Sequence, residues 1–230
     1  MINYTITRSK RKTVALYIID GIVEVRAPLK MPKRDIDKFV VSKEKWIQNN
    51  LAKSAKLKEQ RDNFALNYGD TVLYRGREYP ITARSGDSVG FDDAASEFYI
   101  PPDLSPERIK AAVIQVYKML AKRYLAERLR HYQPIMGVSI TDFGVTGEKK
   151  RWGSMSNRKS ANFSWRLIMA DDDVIDVVVV HELAHITEMN HSDRFWAIVE
   201  GVLPDWRERE KRLKEFNRKI NAENWETIAV

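Results

Sequence analysis

The spacing of apolar residues changes period several times along the chain. Residues 2–8 and 13–27 read as strands, and Asp20-Gly21 between VALYII and IVEVRA predicts a β-hairpin with a primed turn, part of a meander that Pro28 stops. From Pro32 to about Gln60 the period becomes helical, with Ile36, Phe39, Val40, Trp46, Ile47 and Leu51 on the apolar side and Ser42 starting a second helix. Trp46 reads as a packing anchor, and the polar run Lys53 to Arg61 as an exposed helix end. Short alternating segments return between residues 70 and 100: TVLYRGREYPITAR with a turn at Arg75-Gly76, then SVGFDD and EFYIPP.

Ser105-Pro106-Glu107 then predicts the start of a long helix, with a cap, a proline in the first turn and an acid at the positive end of the dipole. Ile109, Val113, Val116, Leu120 and Tyr124 recur along it, His131 sits near its end as a surface or dipole histidine, and Pro134 breaks it. VSITDFGV and NFSWRLIM are predicted strands, separated by the charged GEKKRWGSMSNRKS. Val177 to Val180 have strand propensity, but Asp171 to Asp173 before them mark a helix N-terminus, and apolar residues all round imply burial on most sides. SDRFWAIVEGVLP and DWREREKRLKEF give two terminal helices with Phe195, Trp196, Val199 and Trp206 as core. This order predicts an α+β protein, with an N-terminal β-rich portion carrying helices over residues 1–103 and a second portion over 104–230.

Composition adds limits. At 230 residues and 43% hydrophobic content the chain can bury a substantial core. It has no apolar run of membrane-spanning length, and MINYTITRSK lacks the apolar core of a signal peptide, so a cytoplasmic protein without a membrane partner is expected. The absence of cysteine excludes disulfides and thiolate zinc sites. A net charge of +7 points weakly to an anionic partner or substrate, and the cluster Arg8, Lys10, Arg11 and Lys12 reads as a solvated loop.

Three of the four histidines fall within the eleven residues from His181 to His191. On a helix, His181 and His185 lie about 40° apart round the axis and one turn apart along it, so both imidazoles can reach one metal ion. Glu182, about 100° from His181, is better placed to hold a water on that ion than to ligate it. If the helix continued, His191 would sit roughly 9 Å beyond His185 and about 120° off the metal face, so the helix must end first. Asn190 is expected to turn the chain back in a left-handed conformation, and Ser192 to cap the next helix. Glu188, on the histidine face but a turn further along, is the rival third ligand. Three neutral imidazoles with water in a fourth place suit catalytic Zn²⁺. Lys149, Lys150, Arg151 and Arg166 are candidates to bind an anionic group or a developing oxyanion.

The spacing H-E-x-x-H-x-x-x-x-x-H matches that of metzincins, which have glycine where this chain has Glu188. Arg151-Trp152-Gly153-Ser154, the segment NFSWRL, VVVHELAH, and Asn190-His191-Ser192 with Phe195-Trp196 resemble instead the YgjP-like group of small bacterial metal-dependent hydrolases, more distantly SprT-like proteins. RSKRKTVALYIIDGIVEVRAP is similar to that group's opening hairpin, and Met155 stands where the group is expected to have cysteine. The resemblance implies a zincin-like second portion with a small antiparallel sheet, the H-E-x-x-H helix and terminal helices. It implies a zinc-dependent, metallopeptidase-like hydrolase in which Glu182 activates water, acting on a peptide or an anionic small molecule. Two alternatives stand beside it. A nucleoside triphosphate pyrophosphatase would suit the basic residues around Arg151 but lacks a P-loop. A nucleic-acid-associated SprT-like module lacks a recognition helix, zinc knuckle or RNP motif.

Overall fold

In the computed structural model, which describes residues 2–19 and 21–226, contacts divide the chain into two compact units. One holds the chain up to Phe64 with Ala222–Asn224, and the other holds Ala65–Asn221 with Trp225. The boundary thus falls at Phe64 and not at residue 103. The strands before residue 103 belong with the helix after it: the Tyr117 hydroxyl donates to the Leu73 carbonyl at 2.6 Å, and the Phe98 and Tyr117 rings meet edge to face at 5.4 Å.

In the first unit, β1 (Thr5–Ser9), β2 (Ala15–Ile19) and β3 (Ile22–Pro28) form a sheet of order β1-β3-β2. β2 and β3 are the predicted hairpin; Asp20 lies outside the described residues, and Gly21 has φ +79°. The expected meander is not formed, because β1 pairs with β3 in parallel. That register sets Ile6 beside Val25 and adds the apolar side of β1 to the face carrying Val23, Val25 and Ala27. α1 (Lys33–Ser42) and α2 (Glu44–Asp62) supply Ile36, Val40 and Ile47 to the same core. Trp46 is not an anchor there: it is 44% exposed, since Ile47 takes the inward direction of α2. Arg8 is no loose loop cation either, for its guanidinium donates to the carbonyls of Pro28, Leu29 and Met31 and holds the end of β3.

The second unit opens with β4 (Thr71–Tyr74), β5 (Arg77–Ala83), β6 (Gly90–Asp92) and β7 (Glu97–Ile100), ordered β4-β5-β7-β6. The predicted turn joins β4 to β5 with positive φ at Arg75 and Gly76. A Cβ on Gly76 would lie 1.7 Å from Asp171 Oδ1, so close approach as well as φ requires glycine. α3 (Pro106–Met136) follows, and Pro134 does not end it. In the last turn a proline costs a single backbone bond, and the helix closes at Gly137, where the N–H groups of Gly137 and Val138 return to the carbonyls of Pro134 and Gln133.

β8 (Asp142–Thr146), β9 (Gly153–Met155) and β10 (Ser160–Ser164) form a sheet of order β8-β10-β9. The sheet is mixed and not antiparallel throughout, since β10 runs parallel to β8 and antiparallel to β9. The second predicted strand stops at Ser164, and Trp165–Met169 forms a 3₁₀ turn. This apolar run is buried on all sides, so it carries no period to distinguish strand from turn. α4 (Asp172–Ala184), α5 (Asp193–Val202) and α6 (Trp206–Ile220) complete the unit.

α4 is fixed by charge at its outer end and along its side. Arg75 grips Asp172 through two N–H groups at 2.6 and 2.5 Å, and Arg212 bonds both Asp171 and Asp173. Further in, Arg128 of α3 grips Asp176 at 2.6 and 2.8 Å, while the Tyr132 hydroxyl adds a bond at 2.9 Å. Asp176 is 8% exposed, so removing it strands a shielded guanidinium. Asp176→Ala is expected to destabilise the protein by about 3 to 5 kcal/mol in urea titration, whereas breaking the exposed Lys214–Glu210 pair should change stability by less than about 0.5 kcal/mol.

Candidate metal centre

Val174 to Val180 are buried on every side of α4, which explains how a run with strand propensity is held as helix. His181 and Glu182 occupy its last turn. Beyond Ala184 the N–H groups of Ile186 and Thr187 bond back to Leu183 and Ala184, tightening the end into short turns. The reversal does not use a left-handed residue at Asn190, which has no positive φ; the Ser192 N–H closes a tight turn on the Asn190 carbonyl at 2.8 Å. Ser192 then caps α5, its hydroxyl accepting from the Phe195 N–H.

This path brings His191 back to the helix. Ring nitrogens of His181, His185 and His191 lie within 4.8 Å of one another, and the Nε2 atoms of His181 and His191 are 3.0 Å apart. A tetrahedral zinc with bonds of about 2.0 to 2.1 Å needs ligand nitrogens roughly 3.3 Å apart, so this donor set fits such an ion. Burial, aided by the neighbouring imidazoles, pushes His181 down to about 4, and burial also lowers His185, keeping both rings neutral as ligation requires. His185 Nδ1 lies 3.2 Å from the Glu188 carbonyl; as the donor there it leaves Nε2 as the lone-pair nitrogen. Glu188 thus serves through its backbone, and its carboxylate is not among the clustered donors. Phe195 is fully buried beneath the three imidazoles, its ring 4.9, 4.7 and 4.8 Å from those of His181, His185 and His191. Trp196, expected in the core, is instead half-buried, stacking on Trp206 at 4.2 Å and on His191 at 5.8 Å.

Glu182 is 6% exposed. Burial raises its carboxyl to about 7, with Arg151 opposing the rise. Its place depends on a residue that the spacing of the motif does not mark. A Cβ built on Gly153 of β9 would lie 2.6 Å from both Cγ and Oε1 of Glu182, so the missing side chain is what seats the carboxylate. The one sequence signal is the glycine in the RWGS segment. Gly153→Ala is expected to displace Glu182 by about an ångström and lower turnover about 10²-fold while metal content stays unchanged, compared by rate and elemental analysis.

Of the four basic candidates, Arg151 lines the cavity that reaches His181 and Glu182. Lys149 pairs with Glu226, Lys150 is exposed, and the backbone N–H groups of both lysines bond the Glu148 carboxylate. Arg166 is buried in the 3₁₀ turn, over the Trp165 ring and donating to the Gly147 carbonyl at 3.0 Å, so it holds the loop together and does not line that cavity.

Among solved structures, the metallopeptidase zymogen abylysin of Pyrococcus abyssi is similar at 23% identity and TM-score 0.37, over 40% of this chain and 92% of that one. The zymogen of jannalysin from Methanocaldococcus jannaschii is similar at 17% identity and TM-score 0.36, over 40% of this chain and 94% of that one. No curated protein sequence matches the chain. No helix among the described residues is long and apolar enough to cross a membrane. The model of the YgjP-like metallopeptidase domain matches residues 12–216, and the chain therefore belongs to the YgjP-like metallopeptidase family.

Proposed function

We propose that the protein is a zinc-dependent peptidase in which His181, His185 and His191 hold the ion and Glu182 is the general base. The observation that carries this reading is the clustering of three imidazole nitrogens within 4.8 Å beside a buried carboxylate on the adjoining helical position. When bound, zinc supplies Lewis acidity, acidifying water and polarising an attacked carbonyl. Glu182 accepts the proton of the attacking water on its carboxylate and passes it to the leaving amine. Arg151 is the cation positioned to favour negative charge on the attacked oxygen.

Two features support a peptide over a phosphoanhydride. β9, which carries Gly153 beside Glu182, pairs only with β10 among the described residues, so on this reading an extended peptide pairs with its other edge, which has no strand partner. The adjoining cavity, of about 230 Å³, is walled by Val177, Trp196, Val199 and Leu213, with Arg151 as its one permanent cation. That is below the roughly 300 to 1,000 Å³ of sites that enclose drug-sized molecules, and one arginine does not match the charge of a triphosphate. Parallel incubation of the zinc-loaded protein with a peptide library and with nucleoside triphosphates, read by mass spectrometry with chelator controls, separates the readings. Chelator-sensitive peptide cleavage is expected; release of phosphate or pyrophosphate with intact peptides would overturn the peptidase assignment.

A further inference from the structure

Residues 1–64 hold 15 Lys and Arg against 7 Asp and Glu, a net +8, and residues 65–230 hold the remaining 24 against 25, a net −1, so the chain's positive charge resides in the first 64 residues. Within them the charge is sorted round α2. At 100° per residue, Lys45, Trp46, Asn49, Lys53 and Lys56 fall within an arc of about 100° on one side, roughly 17 Å long. The acids of the helix, Glu44, Glu59 and Asp62, lie outside that arc, as does buried Ile47, and Asp62 pairs with Lys58 at 3.8 Å. Lys45, Lys53 and Lys56 are exposed and enter no ion pair among the described residues. Trp46 is the most exposed of the six tryptophans at 44%, and the others are buried or half-buried.

From this face we infer that α2 binds single-stranded nucleic acid, with the cations along the phosphodiester backbone and Trp46 as a platform for an unpaired base. The metal centre takes no part in the inference. Phosphates take up Lys45, Lys53 and Lys56, which no acid among the described residues pairs, Asn49 adds a neutral amide, and an exposed indole offers a π-face that any base can stack on. A membrane surface fits less well, because an interfacial helix needs a broad apolar face, and the outer side of α2 offers only Trp46 and Leu57 as large apolar groups.

The test is anisotropy of a labelled oligothymidine of about 20 nucleotides with the full chain, titrated from about 50 mM salt upward. Saturable binding is expected, with affinity falling steeply with salt. Replacing Lys45, Lys53 and Lys56 together with alanine should weaken it at least about tenfold and flatten the slope of log K against log salt by roughly 2. Trp46→Ala should weaken the single strand about tenfold and leave duplex binding unchanged. The control removes three exposed cations from α3: Lys118, Lys122 and Arg130. No binding at the lowest salt overturns the inference, as does an equal loss in the α3 variant. Retention on phosphatidylglycerol–phosphatidylcholine vesicles without oligonucleotide binding transfers the face to membranes, and an equal effect of Trp46→Ala on duplex removes the stacking role.

Discussion

His181→Ala, loaded with zinc and desalted, is expected to retain essentially no metal where the parent protein keeps about one equivalent. The effect should be large because the set has three imidazoles only, mutually spaced at 4.9, 4.9 and 4.8 Å, and losing His181 leaves two. His185→Ala should behave alike. His191→Ala should weaken binding by orders of magnitude, whereas Glu188→Gln should leave it nearly intact, since Glu188 meets His185 through its backbone carbonyl, which the substitution keeps. Thermal unfolding gives a second readout: a ligand at about 1,000 times its Kd stabilises the folded state by roughly 4 kcal/mol, a gain the parent should show and His181→Ala should not. Unchanged zinc content in both His181→Ala and His185→Ala would sink the assignment. A reversed ranking of His191→Ala and Glu188→Gln under chelator competition would move the third ligand to Glu188.

What the sequence disclosed at this site was what local geometry and chemistry demand. Two histidines a turn apart require a helix, a third at this spacing requires the helix to stop, and Ser192 is a cap because a helix must begin again. How the helix stops was less legible: an asparagine that tolerates the left-handed region is there, yet short turns beyond Ala184 do the work instead. Relations between distant segments left still weaker traces. Nothing local to Gly153 announces the carboxylate of Glu182 against it, and nothing in Ile6 says that it will sit beside Val25 and not across a hairpin from β2. Trp165–Met169 read as strand because an apolar run buried on all sides has no period. Trp46 read as core because helical spacing names a face only to within its width, and Ile47 occupies the inward direction.

The acidic start of α4 shows one role the sequence hinted at and another it did not. Asp171 to Asp173 do mark the helix N-terminus, but Asp171 accepts no capping bond from the helix, and each carboxylate is held by an arginine from elsewhere in the unit. Burial pulls Asp172 upward, yet the Arg75 guanidinium and the Tyr124 hydroxyl outweigh it and hold the carboxyl below its usual range. With Asp176 clamped by Arg128 further along, the helix that presents His181 and Glu182 is restrained along two turns before His181. Such restraint keeps the His181 and Glu182 side chains in register through protein contacts alone.

Glu182→Gln is expected to lower turnover by about 10² to 10⁴, some 3 to 5 kcal/mol of barrier, with zinc content unchanged. Glutamine keeps the size that Gly153 accommodates but cannot accept a proton from water. The same variant makes a second prediction for chelator-treated protein. Burial raises Glu182 from an ordinary 4.5 to about 7, so the folded state holds its proton more tightly than the unfolded chain. The associated stability is fully present below pH 4.5 and is lost as the pH rises through about 7, to a total of about 3 kcal/mol. His181 works in the opposite sense: lowered from 6.5 to about 4, it favours the folded state increasingly as the pH climbs through that interval, and it does so equally in both proteins. The difference between metal-free parent and Glu182→Gln therefore isolates the carboxylate, and the variant should gain on the parent by about 3 kcal/mol between pH 4.5 and 8 in denaturant titrations. A constant difference across that range would mean that the carboxylate is solvated and not seated against β9. If the metal-loaded variant turns substrate over at the parental rate, Glu182 is not the base.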